Sequence, residues 1–350
     1  MMLPSRIFSP TSLILWYYLF LTATIISSEV GGQGNSSFIG STLESKQRGI
    51  LTEFYSSTNG ANWANDKGWL DDEVSVCDWF GITCNTYAEI ISIELENNSL
   101  DGLCPSSIFE LASLTLFNLR NNSIDISLTS IGNATNLQTL ILSNSNLWRL
   151  DGIGSAPSLK SLHLTNNALQ GTLPDEIYQL SSLEELLLNY NNFTGSLSTR
   201  IGQLQNLQLL YMYQNELSGE IPSHIGQLER LKELALGDNH FTGTLPNELM
   251  KLSNLSILAL ERYEKVPNLG FHGPLPDFAT LSNLRELQLG GNHFTVGINI
   301  LCRYDIRNLD YDLPSIFYIL CTQIKREQYP THFLQDLVSK VRTVMHSSSA

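Results

Sequence analysis

Basic residues are scarce in this chain. Twenty lysines and arginines stand against 34 acids, a formal net charge of −14 over 350 residues. Nucleic acid is bound through clustered Lys and Arg that displace phosphate counterions, so nucleic-acid binding is excluded as a reading, and an anionic membrane surface is disfavoured. Long apolar runs are scarce too. The stretch "SLILWYYLFLTATII" (12–26) has 14 uninterrupted residues from Leu13 to Ile26, where a bilayer span needs about 20. Arg6 precedes it and Ser27 and Ser28 follow, the layout of a cleaved secretory signal peptide rather than a retained anchor. Membrane association is expected only if that segment is kept as an anchor.

Signatures of catalysis are missing. No HExxH, GxSxG or GxxxxGK[ST] occurs, and no kinase lysine, HRD or DFG set. Active sites are argued from constellations, and the seven histidines form none. His240 and His293 share a repeat column, and His163 stands on a strand of its own unit. "GGQG" (31–34) lacks a preceding strand and reads as linker. The expectation is a non-enzymatic chain with no cofactor and no metal.

What the chain does have is a period of 24 residues from about Ile90 to Thr295. Four units stand in register: "LKSLHLTNNALQGTLPDEIYQLSS" (159–182), "LEELLLNYNNFTGSLSTRIGQLQN" (183–206), "LQLLYMYQNELSGEIPSHIGQLER" (207–230) and "LKELALGDNHFTGTLPNELMKLSN" (231–254). Units from Ile90, Leu114 and Leu137 precede them and those from Leu255 and Leu284 follow, about nine in all. Alternate residues of "LYMYQN" point inward, so Leu210 and Met212 are core while Tyr211 and Tyr213 face outward. The asparagine closing each strand turns inward, where its amide offers a donor and an acceptor to backbone groups of neighbouring coils. That column holds Asn98, Asn122, Asn167, Asn191, Asn215, Asn239 and Asn292, with Ser145 replacing one member. A short helical or irregular return then completes each coil. "ERYEKVPNLGFHG" (261–273) inserts five extra residues and is a loop candidate for contacts, Arg262 among them.

The pattern LxxLxLxxNxLxGxLPxxIxxLxx resembles the plant-type leucine-rich repeat over residues 90–295. Ahead of it, "RGILTEFYSSTNGANWANDKGWLDDEVSVCDWFGITCN" (48–85) carries C-x-W-x-G-x-x-C and resembles the N-terminal cap of plant receptors and inhibitors of that family. The resemblance implies an α/β leucine-rich-repeat solenoid: a right-handed horseshoe or superhelix with a parallel concave β-sheet and a cysteine-containing cap. It also implies a bonded Cys77–Cys84 pair; a zinc site is the poorer reading, with no second Cys/His pair nearby. Cys104 falls in the column of Leu173, Leu197, Ile221 and Leu245 and reads as a core thiol. Cys302 and Cys321, beyond the last repeat, are candidates for a pair in a C-terminal cap. The expected domains are a signal peptide (1–28), a linker (29–40), the N-terminal cap (41–89), the solenoid (90–300) and a C-terminal cap or irregular tail (301–350).

Outward strand positions are not used by the coil. At a strand spacing of about 4.8 Å, Leu187, Tyr190, Leu209, Tyr211 and Tyr213 form one patch. Gln214, Asp238 and Arg262 lie beside it, and Ala235 and Gly237 read as room for a ligand group. Tyrosines supply stiff contact area with a polar tip, as binding hot spots do, although exposed tyrosines also simply suit β-strands. Six sequons, at Asn35, Asn97, Asn121, Asn133, Asn192 and Asn254, mark candidate glycosylation sites. The resemblance implies a secreted or cell-surface recognition module. Its concave face would bind a protein, peptide or glycan, with a co-receptor as a further partner. The alternatives are a receptor-like signalling ectodomain without its membrane and kinase parts, and an inhibitor of a cell-wall-degrading glycosidase.

Overall fold

The computed structural model describes residues 37–263 and 269–295; Asn35, Cys302 and Cys321 lie outside the described residues. The chain divides into two units, 1–41 and 42–350, and the architecture below is that of the second. Nine strands pair in parallel in chain order: Ile90–Glu94, Leu116–Asn118, Thr139–Ile141, Ser161–His163, Glu185–Leu187, Leu209–Tyr211, Glu233–Ala235, Ile257–Ala259 and Glu286–Gln288. A tenth, Ile82–Cys84, adds antiparallel at the front. Leu210 is in register with Leu186 on one side and Leu234 on the other. Equivalent leucines therefore stack from coil to coil, and all three are fully buried. Each stabilises by roughly 1.5–3 kcal/mol relative to exposure.

The asparagine column stitches these coils together. Asn215 Nδ2 donates to Leu188 O of the preceding coil and to Met212 O of its own, both at 3.0 Å. Its Oδ1 accepts from Phe193 N–H at 3.0 Å. Asn122, Asn191 and Asn239 donate in the same pattern, as do Asn167 and Asn292. Asn98 joins the cap instead, donating to Asn65 O and accepting from Asn65 N–H. Where serine interrupts the column, the Ser145 hydroxyl reaches Leu119 O at 3.3 Å.

The return path is short and helical, as expected, with two features that the repeat pattern left open. Its helical part is 3-10, as in Ser223–Gln227, entered from Pro222 at φ −67° and closed by Leu228 N–H on Ile225 O. Proline fixes φ, and a five-residue crossing suits the tighter helix. Secondly, the segment after each asparagine forms a sheet of its own, which the repeat pattern did not announce. Gln170–Thr172, Asn192–Ser196, Glu216–Gly219, His240–Gly243, Gly270–Pro274 and His293–Thr295 make six parallel strands. Asp101–Cys104 and Ser123–Ile126 make a separate pair. The coil between these two groups, begun at Leu137, contributes no strand to either.

Aromatic packing closes the N-terminal end. The helix Ser37–Ser57 presents Phe54 and Tyr55 to Trp63 and Trp69, with centroids 5.0–6.3 Å apart. Trp63 and Trp69 donate their indole N–H to Thr58 O and Phe80 O. The buried Gln47 amide bonds Ala88 O and Ile90 N–H, tying helix to first strand. Cys77 and Cys84 are joined by a disulfide. Cys104 is a free, buried thiol, and burial pushes its pKa up.

Candidate functional site

The concave sheet carries three tyrosines in contact. Tyr211 lies in register between Leu187 and Ala235. Its ring centroid is 6.3 Å from that of Tyr213, which packs edge-on against Tyr190 at 5.2 Å. Tyr190 is the most exposed of the three at 39%. Leu187 and Leu209, on the same strands, are half-buried. At one flank Gln214 Nε2 donates to Asp238 Oδ2 at 2.6 Å, and the other Asp238 oxygen accepts from Tyr263 N–H at 2.7 Å. Arg262 precedes Tyr263; its Nε and Nη1 are buried with no hydrogen-bond partner among the described residues.

Two details differ from the sequence reading. Tyr211 and Tyr213 are not free of the fold: both are half-buried, and the Tyr211 hydroxyl donates to Glu233 on the next strand. Burial, then the Glu233 carboxylate, pushes the Tyr211 phenol pKa up. Burial, then Tyr190, does the same to Tyr213. Nor do Ala235 and Gly237 leave room. Both are buried, and a Cβ on Gly237 would stand 2.5 Å from Glu261 O. The open part of the cluster is therefore Tyr190, and the carboxylates of Glu233, Glu261 and Glu286 act on the two phenols beside it, a field that favours a cationic ligand group.

A column that the sequence reading placed only at Asn97 and Asn121 runs along one rim. The residue before each ladder position adopts left-handed backbone: Asn97, Asn121, Asn144 and Asn166, then Tyr190, Gln214 and Asp238, with φ from 46° to 57°. The first four form a chain of side-chain amides. Asn121 donates to Asn97 at 2.7 Å, Asn144 to Asn121 at 2.5 Å, and Asn166 to Asn144. The signal was present as doubled asparagines, "NN", at 97–98, 121–122 and 166–167. A second missed column, Asn136, Asn206, Asn254 and Asn283, donates to carbonyls of the preceding coil at 2.8–2.9 Å.

The sequons thus sit in different surroundings. Asn97, Asn121 and Asn254 have amides engaged in these columns. Asn133 is exposed at the end of the 3-10 turn Ile131–Asn133, and Asn192 is exposed at the start of its side-sheet strand. Among the described residues no helix is long and apolar enough to cross a membrane.

Leucine-rich-repeat family profiles match residues 135–193, 206–228 and 230–252. A probably inactive leucine-rich-repeat receptor-like protein kinase of Arabidopsis thaliana is 31% identical over 165 residues, 46% of this chain and 16% of the relative. Phytosulfokine receptor 1 of the same plant is 40% identical over 85 residues, 23% of this chain and 8% of the receptor. The chain thus spans less than a fifth of the curated relatives it matches. Among solved structures, the ectodomain of the Arabidopsis thaliana receptor kinase GASSHO1/SCHENGEN3, in complex with Casparian strip integrity factor 2, superposes with a TM-score of 0.66 at 25% identity. That match covers 75% of this chain and 32% of the ectodomain. In repeat, coil and cap, this chain has the leucine-rich-repeat solenoid fold and is similar to the ectodomains of plant leucine-rich-repeat receptors.

Proposed function

We propose that the chain is a non-enzymatic, extracellular or cell-surface recognition module that binds a peptide on its concave face. The observation that carries this reading is the contact cluster of Tyr190, Tyr211 and Tyr213, with Tyr190 exposed and the carboxylates of Glu233, Glu261 and Glu286 acting on the other two phenols. Rigid aromatic area with polar tips is the composition of binding hot spots, and the acidic surround selects a ligand with a basic side chain. The similar ectodomain, solved in complex with Casparian strip integrity factor 2, supports the same reading. The candidate contacts are Leu187, Tyr190, Leu209, Tyr211, Tyr213, Gln214, Asp238 and Arg262. A receptor-like chain with a co-receptor is the setting in which such a module signals.

The test is calorimetric titration of the purified protein with a panel of synthetic basic and acidic peptides, and with cell-wall oligosaccharides as the competing class. A basic peptide is expected to bind. Tyr190→Ala with Tyr213→Ala should weaken it by about 30-fold, the loss of about 2 kcal/mol for a hot-spot pair. Binding of oligosaccharides alone, or peptide binding indifferent to both substitutions, refutes the proposal.

A further inference from the structure

The side sheet is broken at one coil, and the break leaves a pocket. The unit begun at Leu137 is 22 residues long where its successors have 24. Its "LWRLDGI" (147–153) lacks two of the residues that "LQGTLPDEI" (169–177) uses to form strand and turn. The shortened coil is drawn against the coil before it. A Cβ on Gly152 (φ +88°) would stand 2.6 Å from Thr129 Cα and 2.8 Å from Leu128 O. On the other side the space is open. Ala168 N–H still reaches Leu147 O at 2.8 Å, but Gln170–Thr172 is the terminal strand of its sheet, all three residues exposed. A Cβ on Gly171 meets nothing within 4 Å, whereas one on Gly195 would be 2.9 Å from Thr172 and one on Gly273 would be 2.8 Å from Thr244.

The resulting pocket, about 340 Å³, lies between Trp148–Gly152 and Gln170, Thr172, Pro174 and Glu176, with Leu169 and Phe193 behind. Trp148 is 50% exposed even with the Arg149 guanidinium 4.7 Å from its ring. An open indole among an amide, a hydroxyl, two carboxylates and a guanidinium is the chemistry of a sugar site: C–H faces stack on the ring and hydroxyls find polar partners. A source of sugar stands next to it. Asn192, in the sequon Asn192-Phe193-Thr194, pairs in register with Gln170 of the pocket wall, and both side chains are exposed. Its amide makes no hydrogen bond among the described residues, unlike those of Asn121 and Asn254. Trp148 and Phe193, the residue after Asn192, line the same pocket, one coil on either side of Gln170, and coils of the main sheet repeat at about 4.8 Å, the reach of the first two sugars of an N-glycan.

We infer that the glycan on Asn192 folds back over Gln170 and seats its N-acetylglucosamine core in this pocket against Trp148, replacing the missing strand's cover. The inference rests on the extracellular reading above and is independent of the concave face. It is tested on the full chain secreted from a glycosylating host, by glycopeptide mass spectrometry and site-resolved release with a peptide N-glycosidase under native conditions. Asn192 is expected to be occupied and released about tenfold more slowly than the exposed Asn133, a ratio that Trp148→Ala abolishes. Hydroxyl-radical footprinting supplies a readout with Trp148 intact: its oxidation should rise severalfold in Asn192→Gln. An unoccupied Asn192 beside occupied sequons, equal release rates, or unchanged Trp148 oxidation overturns the inference and leaves the extracellular reading standing. Absence of glycan from every sequon overturns both.

Discussion

Replacing Asn215 by alanine removes four hydrogen bonds at the junction of two coils and supplies nothing in return. Asn215 is 7% exposed. Its Oδ1 holds Phe193 N–H, and its Nδ2 holds Leu188 O and Met212 O at 3.0 Å and Tyr213 O at 3.4 Å. The stranded Phe193 donor dominates, at about 1–3 kcal/mol; the carbonyls, each with a second lone pair, add less, so the total is about 3 kcal/mol. Asn215→Asp should be worse still, since it aims a charge at the same carbonyls. Asn206→Ala is the control. Its exposed amide makes a single bond, to Ser181 O at 2.8 Å, and its loss should cost about 0.5–1 kcal/mol. Urea unfolding followed by far-ultraviolet circular dichroism gives both numbers, read at an unchanged m-value. If Asn215→Ala and Asn206→Ala destabilise equally, the buried ladder is not what couples the coils.

Two further outcomes follow from the same geometry. Burial pushes the Tyr178 phenol pKa up to about 12, and Tyr211 and Tyr213 are raised as well. Their folded values lie above the unfolded value of about 10, so the native state keeps protons that the unfolded chain has lost. The associated stability is whole below pH 10 and falls as pH rises through 10 toward 12. Denaturant midpoints across that range, with tyrosinate absorbance recorded in parallel, should decline, and Tyr178→Phe should flatten the decline. On the rim, Asn121 sits at φ +56°, where alanine is disfavoured by about 1–2 kcal/mol and glycine is not. Asn121→Gly should therefore be the more stable of the two variants despite its freer unfolded chain, and the reverse order in urea would refute the backbone argument.

The coil was legible in the sequence because it is built from positions that repeat. Leu210, Met212 and Asn215 each occupy a column whose chemistry admits few residues, and nine copies make the columns visible. The side sheet was not legible: its strands need only backbone pairing and an extended path, which "LSGEIP" and "LQGTLP" announce no more than an irregular turn would. The pocket at Trp148 escaped for the opposite reason. It arises from two residues that are absent, and a missing neighbour has no letter. At the concave face the sequence placed Tyr211 and Tyr213 outward, but outward is not free. Whether a phenol meets solvent or a carboxylate depends on the adjacent strand, where Glu233 stands 22 residues away.

The left-handed rim sets two selections against each other. At Asn97, Asn121, Asn144 and Asn166 the backbone is held by residues that accept it readily, and their amides satisfy one another. At Tyr190 and Gln214 the same backbone is imposed on side chains that it disfavours by about 1–2 kcal/mol each. A library of variants sorted for thermal survival should drift toward asparagine or glycine at those two positions. A library sorted for ligand capture should hold them. The most durable version of this solenoid would be one whose rim had become asparagine throughout, and it would have given up part of the face proposed to bind a ligand.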